Sequence, residues 1–294
     1  MIHDFLTALL TPEYLIVFFT YVFIYLIVVT SFNLTFGFTG LVNLGHMAFF
    51  GVGAYVSALL TLSGTPWYLA LPAAGILAGL LGAVIAAVTV RLKGDYFQIV
   101  TLGLAFIAIA VSRNWISLTR GALGLPGIPD IIKNNFYYML FLFAVASVSV
   151  IFLYWLTNSE TGKIFQAIRD DETATAVLGK NTYLYKILSI TISTFFAGIA
   201  GSLFAHYIKY IDPTIFDLEF FVIILAMLIV GGLASIGGSI SGVFFVSILT
   251  TAMHFVFTSI SPELIGAMRQ MLLMLILLII LIYRPRGMLG KVDV

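Results

Sequence analysis

Apolar residues run along this chain in long blocks, and the few charged positions cut those blocks apart. No Asp, Glu, Lys or Arg occurs between Tyr14 and Val90. Nine apolar stretches emerge, near 14–35, 41–62, 68–90, 95–112, 136–156, 184–207, 220–231, 240–258 and 267–283. A run of about 20 apolar residues is long enough to cross a ~30 Å hydrocarbon core as a helix. The pattern therefore predicts an all-α, polytopic integral membrane protein of eight to ten transmembrane helices. Two stretches fit a plain span poorly: 41–62 holds several glycines and His46, and 220–231 is short. Met1–Leu10 has no basic segment and carries Asp4, so the first apolar run reads as a membrane helix and not as a removed leader.

Composition agrees. Hydrophobic residues make up 61% of the 294 residues and charged residues 9%, against about 25% charged in soluble domains, and mean hydropathy is +1.13. Cysteine is absent, so no disulfide framework exists, and a net charge of +1 implies no nucleic-acid partner. Basic residues flanking the spans orient the chain. Arg91, Lys93, Lys163, Arg169, Lys180, Lys186, Arg284, Arg286 and Lys291 fall on one side; Arg113, Arg120, Lys133, Lys209 and Arg269 fall on the other. The richer side, with the C-terminus, reads as cytoplasmic.

Glycine recurs in three settings. Ala74-Gly75, Ala78-Gly79 and Gly82 form one small-residue ladder, and Ala197-Gly198 with Gly201 another; such faces let helices approach closely in lipid. Gly40-Leu-Val-Asn-Leu-Gly45 matches Gly232-Leu-Ala-Ser-Ile-Gly237. The match is either packing glycine or a pair of glycine-broken segments lining a substrate route, because non-helical backbone at membrane depth is tolerated only inside protein or beside a cavity. On the second reading Asn43, Gly45, His46, Gly232, Ser235 and Gly237 lie on the path, and Gln98 and Thr101 face it. Tyr96 and Phe97 read as an interfacial aromatic belt. His46 is either a hydrogen-bond partner of Asn43 or of a freed carbonyl, or a direct cargo contact. His206 and His254 read as satisfied residues near span ends, solvated by the interface.

One segment, 160–186, looks soluble. It reads as a short helix, a break, and a second short helix. Asp170, Asp171 and Glu172 form the acidic first turn of the second helix, which continues to Leu178, with Gly179 at C′ and Lys180 beyond. It is either a polar loop or a docking helix for a cytoplasmic partner. The chain has no Gly-x4-Gly-Lys-(Ser/Thr) phosphate loop, no acidic proton relay, no nucleophile–base pattern, and four scattered histidines without metal-ligand spacing, so any energy comes from a partner.

Seven stretches in order carry a resemblance: "GLVNLGHMAFFGVGAY" (40–55), "RLKGDYFQIVTLG" (91–103), "GALGLPGIP" (121–129), "GKIFQAIRDDETATAVLG" (162–179), "AGIAGSLFAHYIKYIDP" (197–213), "GGLASIGG" (231–238) and "YRPRGMLG" (283–290). The chain resembles the branched-chain amino acid permease family of ATP-binding-cassette (ABC) importers. The resemblance implies a single permease domain over 1–294 in a prokaryotic cell membrane. It implies a second, related permease subunit, two ATPase subunits carrying the ATP chemistry, an extracytoplasmic binding protein, and no cofactor or enzymatic activity in this chain. It further implies that 160–186 holds the helix that docks on the ATPase, through Arg169, Asp170, Asp171, Glu172, Thr173, Ala174, Leu178 and Gly179. The family's acidic-Ala-Ala…Gly pattern appears here as Glu172-Thr-Ala-Thr-Ala-Val-Leu-Gly179, with Thr173 in place of the first Ala and one extra residue before the glycine. Leucine, isoleucine and valine are the cargo expected; urea or short amides, or a stand-alone channel or secondary transporter, are the alternatives.

Overall fold

The computed structural model describes residues 11–92, 94–216, 218–256, 262–284 and 286–290. Asp4, Lys93, Lys291 and the side chains of His254 and Arg269 lie outside what is described. Helices α1 (Pro12–Asn33), α2 (His46–Leu62), α3 (Trp67–Thr89), α4 (Asp95–Asn114), α5 (Ile116–Thr119) and α6 (Asn135–Asn158) build the first half. Short helices α7 (Glu160–Asp170) and α8 (Glu172–Val177) follow. Then come α9 (Thr182–Ile208), α10 (Leu218–Gly231), α11 (Ile236–Val256) and α12 (Pro262–Tyr283). Each of the nine apolar stretches overlaps one of the long helices. Among the described residues, six helices are long and apolar enough to cross a membrane: Pro12–Phe38, Trp67–Thr89, Asp95–Asn114, Asn135–Asn158, Thr182–Ile208 and Pro213–Gly231. Shorter apolar helices cover His46–Leu62, Ile236–Ala252 and Gln270–Ile280.

α9 runs through the middle, packed against both α3 and α2, which also pack on each other, while α1 packs on α6, α9, α10 and α11. The two small-residue ladders explain the first seam. Gly198 lies against Ala78 and the Ala74 carbonyl, Gly75 against Phe195 and Ile199, and Gly82 against Thr194. Towards α2, Gly201 meets the Phe50 carbonyl, and Gly198 meets Gly53 of α2 as well as α3. Close backbone approach replaces the hydrophobic drive that lipid does not supply. The far face of α3 is left apolar and exposed, with Leu80 56%, Val84 66% and Val88 73% accessible, as a lipid-facing surface requires.

The ends of the bundle differ in charge. At one end lie Arg91, set over the Tyr183 ring at 5.3 Å, Arg169 bound to the carbonyl of Gly37, and the turn after α12 packed on Gly232. At the other, β1 (Leu125–Pro126) pairs antiparallel with β2 (Tyr210–Ile211), and Lys209 reaches Asp130 at 2.7 Å. His206 belongs to this second end but is not solvated there. It is 2% exposed, with Nε2 2.9 Å from Ser57 Oγ and Nδ1 2.8 Å from the Pro129 carbonyl oxygen. Phe97 is likewise buried, at 2%, where an interfacial position was expected, whereas Tyr96 is 73% exposed.

Candidate functional site at the glycine turns

α1 does not end cleanly. Its last turn widens into a π-helical stretch, Leu34–Phe38, and helical structure does not resume until His46. Non-helical backbone strands carbonyls and amides that need partners inside an apolar bundle. Neighbouring helices supply them. Thr39 Oγ1 donates to the Leu34 carbonyl at 2.8 Å and bonds the Ser189 hydroxyl of α9 at 2.7 Å. The Leu44 amide donates to Thr101 Oγ1 of α4 at 3.1 Å, and the Gly45 amide to Asn43 Oδ1 at 3.1 Å. Gly45 is pressed against the Thr101 carbonyl, 2.5 Å from where a Cβ would sit, so a side chain has no room there.

The second turn, 232–235, joins α10 to α11. Gly232 has φ +112° and Ala234 φ +56°, the latter in a left-handed region that a Cβ disfavours. Asn33 of α1 holds it. Asn33 Nδ2 donates to the Ser235 carbonyl at 3.0 Å and to Ser239 Oγ at 2.7 Å, while Oδ1 accepts from the Ala234 amide at 3.1 Å. Ser235 Oγ accepts from the Gly238 amide at 3.0 Å and so satisfies one of the first amides of α11. The last carbonyls of α10 accept from the turn after α12: Val230 from the Met288 amide and Gly231 from the Leu289 amide, each at 2.9 Å.

Asn43, Gly45 and Thr101 are therefore in contact, and Thr101 Oγ1 donates to the Gln98 carbonyl at 3.0 Å. Gly232 and Ser235 sit on the other turn, Gly37 touching the Ala234 amide between them; Gly237 meets nothing closer than 3.9 Å. His46 is fully buried, 5.1 Å from the Phe32 ring. Its Nε2 lies 3.3 Å from Ser31 Oγ, not on Asn43, and Nδ1 has no partner among the described residues. Asn33 and Ser31 were not singled out from the sequence. Their signal was present: polar side chains in an apolar run that has no nearby charge, which in a membrane helix face protein.

The segment 160–186 docks on the first break and on α9. Arg169 Nη1 donates to the Gly37 carbonyl at 3.0 Å, its stem lies along Gly40, and Nη2 pairs with Asp170 at 2.8 Å. Asp170 ends α7 and does not belong to the first turn of α8. The cap of α8 is Asp171, whose carboxylate accepts from the Ala174 amide at 2.9 Å, after extended backbone at φ −156° that a helical residue could not adopt. The far end closes as a Schellman turn: Gly179, at φ +80°, donates to the Ala176 carbonyl at 2.9 Å, and Lys180 to the Thr175 carbonyl at 3.4 Å. Glu172 pairs with Lys186 of α9 at 2.5 Å. Thr173 and Ala174 face outward, and Val177 and Leu178 are 83% and 80% exposed. A cavity of about 200 Å³ separates this segment from the first turn, lined by Gly40, Leu41, Gln98, Arg169, Glu172 and Lys186 among others.

Helices of spanning length packed through small-residue seams, with polar side chains spent on internal turns, define a multi-pass membrane protein. The model of the family described as "branched-chain amino acid transport system / permease component" matches residues 14–281, and the chain belongs to that family, as its ordered motifs anticipated. It is 29% identical over 303 residues to the high-affinity branched-chain amino acid transport system permease protein LivM of Escherichia coli K12, covering 92% of this chain and 68% of that one. It is 23% identical to the probable branched-chain amino acid transport permease protein LivM of Methanocaldococcus jannaschii, over 91% of both chains. Among solved structures, PsaBC from Streptococcus pneumoniae in complex with Fab superposes with a TM-score of 0.50 over 97% of both chains at 15% identity, a likeness of fold alone. The chain is a transport permease of the cell membrane.

Proposed function

We propose that this chain is one permease subunit of an ATP-driven amino acid importer. The whole chain, 1–294, is one transmembrane domain whose nine apolar helices span the membrane, with the C-terminus and the segment 160–186 in the cytoplasm. It pairs with a second permease subunit, rests on two ATPase subunits that carry the hydrolysis, and receives leucine, isoleucine or valine from an extracytoplasmic binding protein. The glycine turns at 39–45 and 232–235 form the breaks near the cytoplasmic mouth of the path.

One observation carries this reading. Arg169 and the Glu172–Lys186 pair fasten α7 and α8 to the turn at Gly37 and to the central helix α9, while Val177 and Leu178 of the same segment are bare. Exposed aliphatic side chains on an otherwise polar, well-capped segment suit a partner surface. A force applied to α8 reaches the core of the bundle through two charged contacts. ATP binding can switch the bundle only if the ATPases bind one of its two arrangements better than the other, and this linkage supplies the means.

Two double substitutions test the docking. Asp171→Lys with Glu172→Lys removes the α8 cap and the tie to Lys186. Val177→Asp with Leu178→Asp alters the exposed surface and leaves the internal bonds of α8 in place. Both are expected to abolish co-purification of the ATPase subunits from membranes holding normal amounts of permease. Undiminished ATPase recovery with the second variant would exclude this surface as the docking site.

A further inference from the structure

A cavity of about 400 Å³ opens between α1, α10 and α11, in the half of α1 remote from Gly37 and the short helices. Its volume falls in the roughly 300–1,000 Å³ range of small-molecule sites. Phe18, Tyr21 and Tyr25 form the α1 wall, Phe220 and Ile223 the α10 wall, and Ser247 stands on α11. The Tyr21 and Tyr25 rings stack with centroids 6.2 Å apart, and Phe220 tilts against Tyr25 at 5.8 Å, so the walls are continuous aromatic surface. None of the described lining residues is charged.

Ser247 is the anomaly. It is 6% exposed, and its hydroxyl has no hydrogen-bond partner among the described residues. Helical serine commonly bonds a carbonyl of the preceding turn, as Thr250 does here by donating to the Ser247 carbonyl at 2.9 Å. Ser247 does not. A buried hydroxyl left unsatisfied is costly, and one that lines a cavity is available to whatever enters it.

We propose that this cavity is a cargo subsite within this subunit, holding an aliphatic amino acid. The branched side chain lies between Phe18, Phe220 and Ile223, and the polar head meets Ser247 Oγ under the Tyr21–Tyr25 wall. Among the described lining residues none is charged, so the zwitterion is held weakly, as a transit site requires, since a tightly held cargo would not move on. The apolar, largely aromatic walls select against urea, which has no apolar part to bury. The inference rests on the amino acid permease reading above.

The test uses the complete complex of both permeases and both ATPases, reconstituted without binding protein, and measures saturable binding of radiolabelled leucine. Ile223→Trp, which pushes an indole into the cavity where the side chain of the cargo would lie, is expected to abolish binding. Ser247→Ala is expected to weaken it roughly three- to tenfold, the worth of one neutral hydrogen bond. Unlabelled leucine competes and urea does not. Should Ile223→Trp prevent assembly, Tyr21→Ala takes its place. Binding unchanged in these variants, or no binding by a wild-type complex that imports leucine normally, overturns the subsite and leaves the permease reading standing. A complete complex, supplied with binding protein, that imports no amino acid sinks the cargo reading itself.

Discussion

Replacing Asn33 by leucine takes three hydrogen bonds away from the turn at 232–235. The consequences are unequal, and the structure says which one dominates. The Ser235 carbonyl still accepts from the Ser239 amide at 3.0 Å, and the Ser239 hydroxyl keeps a long contact to that carbonyl at 3.4 Å. The Ala234 amide has Asn33 Oδ1 and no second acceptor among the described residues. Leaving one buried amide unpaired costs about 1–3 kcal/mol. The two lost donor bonds add roughly 0.6 kcal/mol each, the average for side-chain bonds between membrane helices. Asn33→Leu should therefore destabilise by about 2–4 kcal/mol, and Ser239→Ala, which removes one of the lesser bonds, by under about 1 kcal/mol. Because Ala234 is held at φ +56°, Ala234→Gly removes a backbone strain of roughly 1–2 kcal/mol and should return part of the loss in the double variant. Thermal unfolding in a fixed detergent, followed by size exclusion, reads the series; by the usual conversion Asn33→Leu lowers Tm by on the order of 5–10 °C. Equal shifts for Asn33→Leu and Ser239→Ala, or no rescue by Ala234→Gly, would refute the assignment of Asn33 as the brace of this turn.

The α2–α9 seam predicts a contrast between glycines: Gly201→Ala drives a methyl into the Phe50 carbonyl and should cost about 1–3 kcal/mol by overpacking, whereas Gly103→Ala, with nothing within 4 Å, should leave Tm unchanged. Lys186 is 6% exposed and its partner carboxylate about 38%, so Lys186→Met should cost about 1–2 kcal/mol and not the ~3–5 kcal/mol of a fully buried pair. If the pair transmits motion from α8 to α9, leucine uptake falls several-fold while ATPase subunits still co-purify, and the swap Glu172→Lys with Lys186→Glu recovers part of it; a swap no better than either single change speaks against transmission.

The helices were legible because lipid leaves the backbone little alternative: each long apolar run overlaps a helix, although the run from 41 opens as the non-helical glycine turn and becomes helical only at His46. Local signals were equally readable. Gly179 caps α8 as its neighbours dictated, and the ladders at 74–82 and 197–201 meet each other. What the sequence hid were pairings between distant segments. Asn33 and Ser235 are about two hundred positions apart, and no periodicity links them. His206 is satisfied, as its place near a span end suggests, but by protein and not by the interface, since its partners come from α2 and from the loop at Pro129. Acidic residues favour a helix start, which pointed Asp170 to α8; the α7 ladder instead runs through it to the Asp171 amide, which donates to the Ala167 carbonyl at 2.9 Å, and Asp171 takes the cap.

The central claim is that this permease moves amino acids with energy delivered by its ATPase partners. Uptake of radiolabelled leucine by cells carrying the complete set of subunits measures it most directly, comparing intact ATPases with ATPases whose phosphate-loop lysine is replaced. The account predicts that uptake is saturable, competed by isoleucine and valine, and abolished by the lysine replacement. Leucine uptake that persists with the ATPases disabled would contradict it.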